Sequence, residues 1–239
     1  ALKSQLDITP ACTAGHSLGE YCAMYCSGVM NLETTLKAIQ KRADLMGATK
    51  GGSMAAILNA PEGSLEKALK EASNVGYVDV ANYNSPAQVV ITGDEAAVKK
   101  AGELLSEAGA RRVVPLAVSG AFHSKFMEPA GKEFSTFVSE LDMNNADVPV
   151  FTNVDAQATV LAAEFKNKMP KQIYSSVHWT QTIENMINDG VDTFIEIGPG
   201  KVLAGLNRKI NSDVKTYNIF DKDSLEATVN ALKEEMAAV

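Results

Sequence analysis

A serine stands between glycines two residues before and two residues after it, in the segment Gly15-His16-Ser17-Leu18-Gly19. A short strand is predicted to lead into this segment and a helix to follow it, which is the setting of a nucleophile elbow. Both glycines are expected to be required because the strained turn leaves no room for bulk, and the helix points its first amides at the same spot. Ser17 is therefore a candidate acyl nucleophile. The alternative is a capping box, in which Ser17 and Glu20 only begin a helix.

A serine nucleophile needs a base, and the chain has 3 histidines. His16 is adjacent to Ser17, so its side chain should leave the turn in another direction. His178 precedes a predicted helix start at Trp179 and is interpreted as structural. By elimination His123, in a loop after a predicted strand, is the candidate base. No carboxylate stands out as the third member of a triad, which argues against an ordinary α/β-hydrolase.

The elements that must position these residues alternate between strands and helices. This alternation predicts an α/β protein with a mainly parallel sheet covered by helices, similar to an α/β-hydrolase core. Residues 53–118 follow the order β-α-β-β-α-β and are predicted to form an inserted ferredoxin-like α+β subdomain. Residues 1–52 and 119–239 then form the large catalytic subdomain.

Composition narrows the class of function. The chain has 239 residues, 46% hydrophobic and 21% charged, and a net charge of −7, which is typical of a soluble globular protein and argues against nucleic-acid binding. Neither a membrane span nor a signal sequence is apparent, so a cytoplasmic protein is expected. Cys12, Cys22 and Cys26 are too few and too clustered for a disulfide framework. A metal shared by Cys22 and Cys26 is possible in principle, but buried packing residues are expected instead.

Five motifs in this order resemble those of bacterial malonyl-CoA:acyl-carrier-protein transacylases, and the resemblance covers essentially all 239 residues. The motifs are Gly15-His16-Ser17-Leu18-Gly19-Glu20-Tyr21, Arg42, Asn82-Tyr83-Asn84-Ser85-Pro86, Phe122-His123-Ser124 and Glu196-Ile197-Gly198-Pro199-Gly200-Lys201-Val202-Leu203. The resemblance implies an acyltransferase that moves a malonyl group from malonyl-CoA to phosphopantetheinylated acyl carrier protein, in fatty acid biosynthesis. It implies no bound cofactor and no metal, and we expect a monomer.

The resemblance also implies roles for individual residues. Ser17 attacks the thioester, and His123 takes and returns the proton. The backbone carbonyl of Gln172 orients the histidine in place of a carboxylate. Arg42 pairs with the free carboxylate of the malonyl group, because a guanidinium offers a bidentate fork. The backbone N–H of Leu18 serves the oxyanion.

Further positions in the motifs are assigned to the acyl pocket. Asn82 and Asn84 are similar to asparagines near the acyl group, and Phe122 restricts room for an α-methyl branch. Without the resemblance, Arg42 would be interpreted as a solvated helix residue, and the two asparagines equally as turn formers beside Ser85-Pro86. The motif around Gly198-Pro199-Gly200 is interpreted as a structural turn.

Two expectations concern the partner and the start of the chain. Carrier proteins are acidic, as is this chain, so docking is expected at a local basic patch. The candidates are Lys125, Lys166, Lys168, Lys171, Lys201, Arg208 and Lys209. In the family a strand and a Gly-Gln-Gly-x-Gln turn precede the elbow, and its first glutamine lines the oxyanion site. That segment is absent from the sequence, so an N-terminally truncated chain is expected.

Two other functions remain open from the sequence. The first is a serine hydrolase or thioesterase, including a patatin-like Ser–Asp dyad with Asp189 as the acid, although Asp189-Gly190 reads more simply as a helix end. The second is an inactive fragment that only binds carrier protein.

Overall fold

A computed structural model describes residues 1–237 of the chain as an alternation of helices and strands. The α-helices are α1 (Leu2–Gln5), α2 (Gly19–Cys26), α3 (Leu32–Ala48), α4 (Ser64–Ala72), α5 (Glu95–Glu107), α6 (Glu128–Ser139), α7 (Ala162–Gln172), α8 (Trp179–Asn188), α9 (Val202–Ile210) and α10 (Lys222–Ala237). The strands are β1 (Thr13–Ala14), β2 (Ser53–Leu58), β3 (Val78–Ser85), β4 (Gln88–Gly93), β5 (Arg112–Pro115), β6 (Val150–Phe151), β7 (Ala158–Thr159), β8 (Thr193–Ile197) and β9 (Lys215–Ile219). The predicted α/β class is confirmed.

The chain divides into two units by its internal contacts. The larger unit is Cys12–Thr182, and the smaller unit joins Ala1–Ala11 to the chain from Ile183 onward. The predicted subdomain boundaries, at residues 52/53 and 118/119, both fall inside the larger unit and stay a prediction. Within residues 1–237, no helix has the length and apolar character that a membrane span requires.

Helices enclose the main apolar core of the larger unit. Asn31 is the N-cap of helix α3, and its side chain accepts the N–H of Thr34 at 2.9 Å and so satisfies a free amide of the first turn. Apolar residues recur on one face of each of α2, α3, α6 and α7, and these faces pack together. The fully buried members include Tyr21, Met24, Phe134, Phe165 and Ile173. This core fixes the helices on which several site residues lie.

Strands β1 and β6 place two turns side by side. They pair in parallel, with Thr13 opposite Val150 and Ala14 opposite Phe151. Because parallel strands end at the same edge of a sheet, the turn after β1 lies beside the turn after β6. β7 then pairs with β6 in the antiparallel sense.

A four-stranded antiparallel sheet follows α3 in the chain. Its strand order is β3-β4-β2-β5, and the elements succeed one another as β2-α4-β3-β4-α5-β5, the order of a ferredoxin-like unit. Helices α4 and α5 cover one face through a core that includes Ile57, Ile91 and Leu105. The segment after α7 lies against β3, since Val177 N–H donates to the Ala81 carbonyl at 2.8 Å and its own carbonyl accepts from Tyr83.

The smaller unit is built on the parallel pair β8 and β9. Its core includes Leu6, Val229 and Leu232. The Glu196 carboxylate at the end of β8 accepts the N–H groups of Leu203 and Ala204, at 3.2 and 2.8 Å, and so caps helix α9. The glycine-rich motif before α9 therefore has a local structural function, as expected.

Candidate active site

Ser17 occupies the strained turn between β1 and α2. Its φ angle is +50°, a left-handed conformation that non-glycine residues rarely adopt. A Cβ atom at Gly15 would lie 2.0 Å from the backbone carbon and oxygen of Gly19, so residue 15 must be glycine. A Cβ atom at Gly19 would meet nothing within 4 Å, so the expectation that both glycines are required is wrong for Gly19. The capping-box interpretation is also wrong, because α2 has no side-chain cap and the Glu20 carboxylate accepts the backbone N–H of Asn153 instead.

His123 lies at hydrogen-bond distance from the nucleophile candidate. Its Nε2 is 2.8 Å from Ser17 Oγ, and its Nδ1 is 2.9 Å from the carbonyl of Gln172 and 3.2 Å from that of Ser175. Carbonyl oxygens only accept, so Nδ1 carries the proton and Nε2 offers its lone pair to the serine hydroxyl. Burial, followed by the nearby positive charge of Arg42, lowers the pKa of His123 to about 3. The ring is therefore neutral at physiological pH.

Arg42 reaches the same serine from helix α3. Its Nη2 donates to Ser17 Oγ at 2.9 Å and its Nε to Gln172 Oε1 at 3.3 Å. The residue is only 6% exposed, which excludes the interpretation of a solvated helix residue. Within residues 1–237, no carboxylate lies within salt-bridge distance of the guanidinium. A buried cation of this kind is costly unless a ligand supplies the negative charge.

Gln172 contacts the site through both its backbone and its side chain. The backbone carbonyl holds His123 Nδ1, and the side-chain Nε2 donates to the Ser17 carbonyl at 2.7 Å. The side chain also accepts from Arg42, so one buried residue touches three other members of the site. The side-chain contacts were not predicted from the sequence.

Asn153 and Glu20 belong to the site and were missed. Asn153 Nδ2 donates to the Gly15 carbonyl at 2.8 Å, and its Oδ1 accepts the Ser17 N–H at 2.7 Å. The Asn153 backbone N–H donates to Glu20 Oε2 at 2.5 Å. Burial raises the pKa of Glu20 to about 7. The available signal was the predicted mainly parallel sheet, because residues that follow parallel strands meet at one edge of a sheet.

The remaining predicted site residues lie at different places. In the described part of the chain the Leu18 N–H forms no hydrogen bond, whereas the Ser17 N–H is bound to Asn153. Asn84 Oδ1 is 2.8 Å from His16 Nε2, beside the elbow. Asn82 is buried in β3 at a register shift. Both asparagines lie within the strand rather than in the turn after it.

Phe122 directly precedes His123 but does not hydrogen-bond to the serine. Its ring packs against the main core of the larger unit and against the face of the four-stranded sheet. Its carbonyl accepts from Thr92 Oγ1 at 3.0 Å, which anchors the His123 loop to β4.

The cysteine prediction was wrong. Cys22 and Cys26 are exposed, because α2 buries Tyr21 and Met24 on its opposite side. Cys12, which precedes β1, is partly exposed. Within residues 1–237, no group of three or more His, Cys, Asp or Glu residues could hold a metal ion.

One candidate docking lysine points inward. Lys168 Nζ lies 2.7 Å from Thr159 Oγ1 and 2.8 Å from Asp155 Oδ2, and its side chain is 18% exposed. It therefore stabilises the turn between β6 and β7 and contributes little to an open basic surface.

Fold and site together define an α/β protein with a serine–histidine pair oriented by backbone carbonyls and faced by a buried arginine. The model of the acyl transferase domain family matches residues 1–235, and the chain belongs to this family.

Three malonyl transacylases are similar to this chain. A malonyl CoA-acyl carrier protein transacylase of Bacillus subtilis (strain 168) is 41% identical over 232 residues, covering 95% of this chain and 73% of that protein. The solved acyl carrier protein S-malonyltransferase of Vibrio cholerae O1 biovar eltor has a TM-score of 0.91 at 39% identity, covering 95% of this chain and 76% of that one. A malonyl-transacylase solved in complex with its type II PKS acyl-carrier protein has a TM-score of 0.90 at 35% identity, with coverages of 94% and 74%. The expected N-terminal truncation stays a prediction.

Proposed function

We propose that this chain transfers a malonyl group from malonyl-CoA to the phosphopantetheine thiol of acyl carrier protein, through a malonyl ester of Ser17. The reaction supplies extender units for fatty acid biosynthesis. One observation carries the proposal: Ser17 Oγ lies 2.8 Å from a neutral histidine nitrogen and 2.9 Å from the buried Arg42, and no carboxylate among residues 1–237 lies within salt-bridge distance of this arginine. A nucleophile, a base and a carboxylate receptor therefore meet at one atom. The names of the relatives agree with this chemistry.

The first half-reaction forms the ester. Ser17 Oγ attacks the thioester carbonyl carbon, and its proton passes to His123 Nε2. The carbonyl oxygen becomes an oxyanion, and the Leu18 N–H at the start of α2 is the donor that we assign to it. The tetrahedral intermediate then collapses. The C–S bond breaks, and the CoA thiolate leaves with the proton from His123.

The second half-reaction repeats these steps in the reverse sense. The phosphopantetheine thiol gives its proton to His123 and attacks the ester carbonyl. Ser17 Oγ leaves and regains a proton from the imidazolium. Atoms and charges balance without a cofactor. The Gln172 carbonyl keeps the ring in the Nδ1–H tautomer throughout, which is the role a carboxylate has in a triad.

Arg42 gives the site its preference for malonyl over acetyl groups. The guanidinium pairs with the free carboxylate in a bidentate manner, and an acetyl group would leave it buried without a counter-charge. Asn82, Asn84 and Phe122 are proposed to line the acyl pocket. We assign the protein to the cytoplasm as a monomer.

The transfer itself is tested with purified holo acyl carrier protein. We expect malonyl-CoA and the protein to convert the carrier to its malonyl form, measured by intact mass. Beyond the one equivalent of CoA released when Ser17 is acylated, we expect free CoA to appear only in step with that product. Apo carrier protein, which lacks the thiol, is the control. Continuous release of many equivalents of CoA without any carrier would support a hydrolase instead. Binding of the carrier without any acyl transfer would support a fragment that only binds.

A further inference from the structure

One buried asparagine bridges the two sides of the nucleophile turn. We propose that Asn153 is a positioning residue that holds Ser17 in its reactive conformation, and that Glu20 in turn holds Asn153. This inference rests on the proposed function, because it concerns the same nucleophile.

Asn153 forms four hydrogen bonds, and two of them are to the turn. Its side chain donates to the Gly15 carbonyl and accepts from the Ser17 N–H, at 2.8 and 2.7 Å. Its backbone donates to Glu20 Oε2 at 2.5 Å and accepts from the His178 N–H at 3.0 Å. Asn153 has no exposed surface. A side chain held in this way has one position available to it.

These contacts stabilise the strained conformation of the turn. Ser17 has a φ of +50°, and a left-handed serine persists only where its surroundings fix it. The amide of Asn153 spans the peptide groups on both sides of His16, so it links the strand end to the serine. The bond also occupies the Ser17 N–H, so this amide cannot serve an oxyanion. Asn153 therefore acts through Ser17 and does not touch the substrate.

Glu20 holds the backbone of Asn153 through a hydrogen bond from the Asn153 N–H. It lies in the first turn of α2 and is 1% exposed. Either protonation state of the carboxyl group retains an oxygen that accepts the Asn153 N–H. Glutamine retains such an oxygen and leucine does not. Glu20→Gln should therefore preserve the reactivity of Ser17, and Glu20→Leu should reduce it.

A fluorophosphonate probe measures the reactivity of Ser17 without relying on the malonyl group. Ser17 Oγ attacks phosphorus, the serine proton passes to His123, and the P–F bond breaks to release fluoride. We expect Asn153→Ala to slow this labelling about 10²-fold, because small misplacement of a nucleophile costs this much. Asn145→Ala is the matched control, since it removes an asparagine bond to the Ala162 N–H, away from the site. We expect it to label at the wild-type rate.

The Asn153→Asp variant separates positioning from a general loss of structure. A protonated aspartic acid supplies one donor and one acceptor, as asparagine does, whereas the ionised form can only accept and opposes the Gly15 carbonyl. Labelling of this variant, divided by that of the wild type at the same pH, should rise as the pH falls from 8 to 5. The charged or titratable groups around this position are His16, Glu20, Arg42, His123, Asp155, Lys168 and His178. Thermal unfolding at each pH shows that the compared variants are folded.

The outcomes distinguish the positioning role of Asn153 from the proposed function. Wild-type labelling rates in folded Asn153→Ala, or an Asn153→Asp ratio that does not rise toward acid pH, would overturn the positioning role. If Asn153→Ala does not fold, the positioning role is tested by the pH dependence of the Asn153→Asp labelling rate relative to the wild type. Wild-type protein that reacts with the fluorophosphonate but not with malonyl-CoA would refute the proposed function and leave the positioning role standing. Wild-type protein inert to both reagents would refute both.

Discussion

The Ser17 hydroxyl lies between two groups with different tasks. His123 is neutral because burial lowers its pKa. It presents a lone pair to the hydroxyl hydrogen, because two backbone carbonyls hold the proton on its far nitrogen. Arg42 donates to the hydroxyl oxygen and is buried. The same guanidinium can exchange this weak acceptor for a carboxylate, which is a stronger partner. The resting contact therefore marks the place where an acidic acyl group would bind.

Replacing Arg42 tests this interpretation directly. We expect Arg42→Ala to lower kcat/KM for malonyl-CoA about 10²–10³-fold, because truncating one partner of a buried charge pair has an effect of this size. The kcat/KM for acetyl-CoA should change much less, so the ratio of kcat/KM for malonyl-CoA to that for acetyl-CoA should fall sharply. Arg42→Lys should restore the ratio only in part, since an ammonium lacks the bidentate fork. An equal loss on both substrates would contradict the role.

Glu20 makes stability depend on pH. Burial raises its pKa from 4.5 in the unfolded chain to about 7 in the folded protein. Its contribution to stability is present below pH 4.5 and is lost as the pH rises through 7, by about 3 kcal/mol. Glu20→Gln removes this titration. Its free energy of unfolding, measured by urea denaturation, should therefore gain on the wild type between pH 5 and 8. A constant difference over that range would show that Glu20 does not titrate there.

At the level of the elements, the turn between β1 and α2 depends on one glycine. Gly15→Ala places a Cβ atom 2.0 Å from the Gly19 backbone, which belongs to α2 and cannot move away without displacing the elbow. We expect a destabilisation of about 3 kcal/mol and slower acylation of Ser17. Gly19→Ala is the matched control, because its Cβ has free space and alanine favours a helix. Its melting temperature should equal or exceed that of the wild type, and equal losses in both variants would contradict this description.

The elbow was predictable from the sequence because its signals are local. Glycine spacing around Ser17 and the change from strand to helix occupy one short segment, and the scarcity of histidines singled out His123. Asn153 and Glu20 were missed because their contacts join residues 133 to 138 positions apart. Periodicity carries no information about such pairs. Glu20 also matched a local capping pattern, which concealed its contact with the turn after β6.

Across the chain, chemistry-bearing residues were predicted better than surfaces. The α/β class follows from the alternation of elements, but the buried position of Arg42 on α3 needed the resemblance, since its neighbours Lys41 and Asp44 suggest a solvated face. Exposure of Cys22 and Cys26 was misjudged because residue type alone does not fix which side of a helix faces the core. Likewise, Lys168 is held internally by Asp155, so net charge and lysine counts do not locate a docking surface.

The most direct test of the central claim is the intact mass of the protein after a few seconds with malonyl-CoA and an acid quench. We predict one malonyl adduct on the wild-type chain, located at Ser17 by peptide mapping, and none on Ser17→Ala. A malonyl adduct that persists in Ser17→Ala would place the nucleophile elsewhere. A folded wild-type chain that carries no adduct would contradict acyl transfer through Ser17.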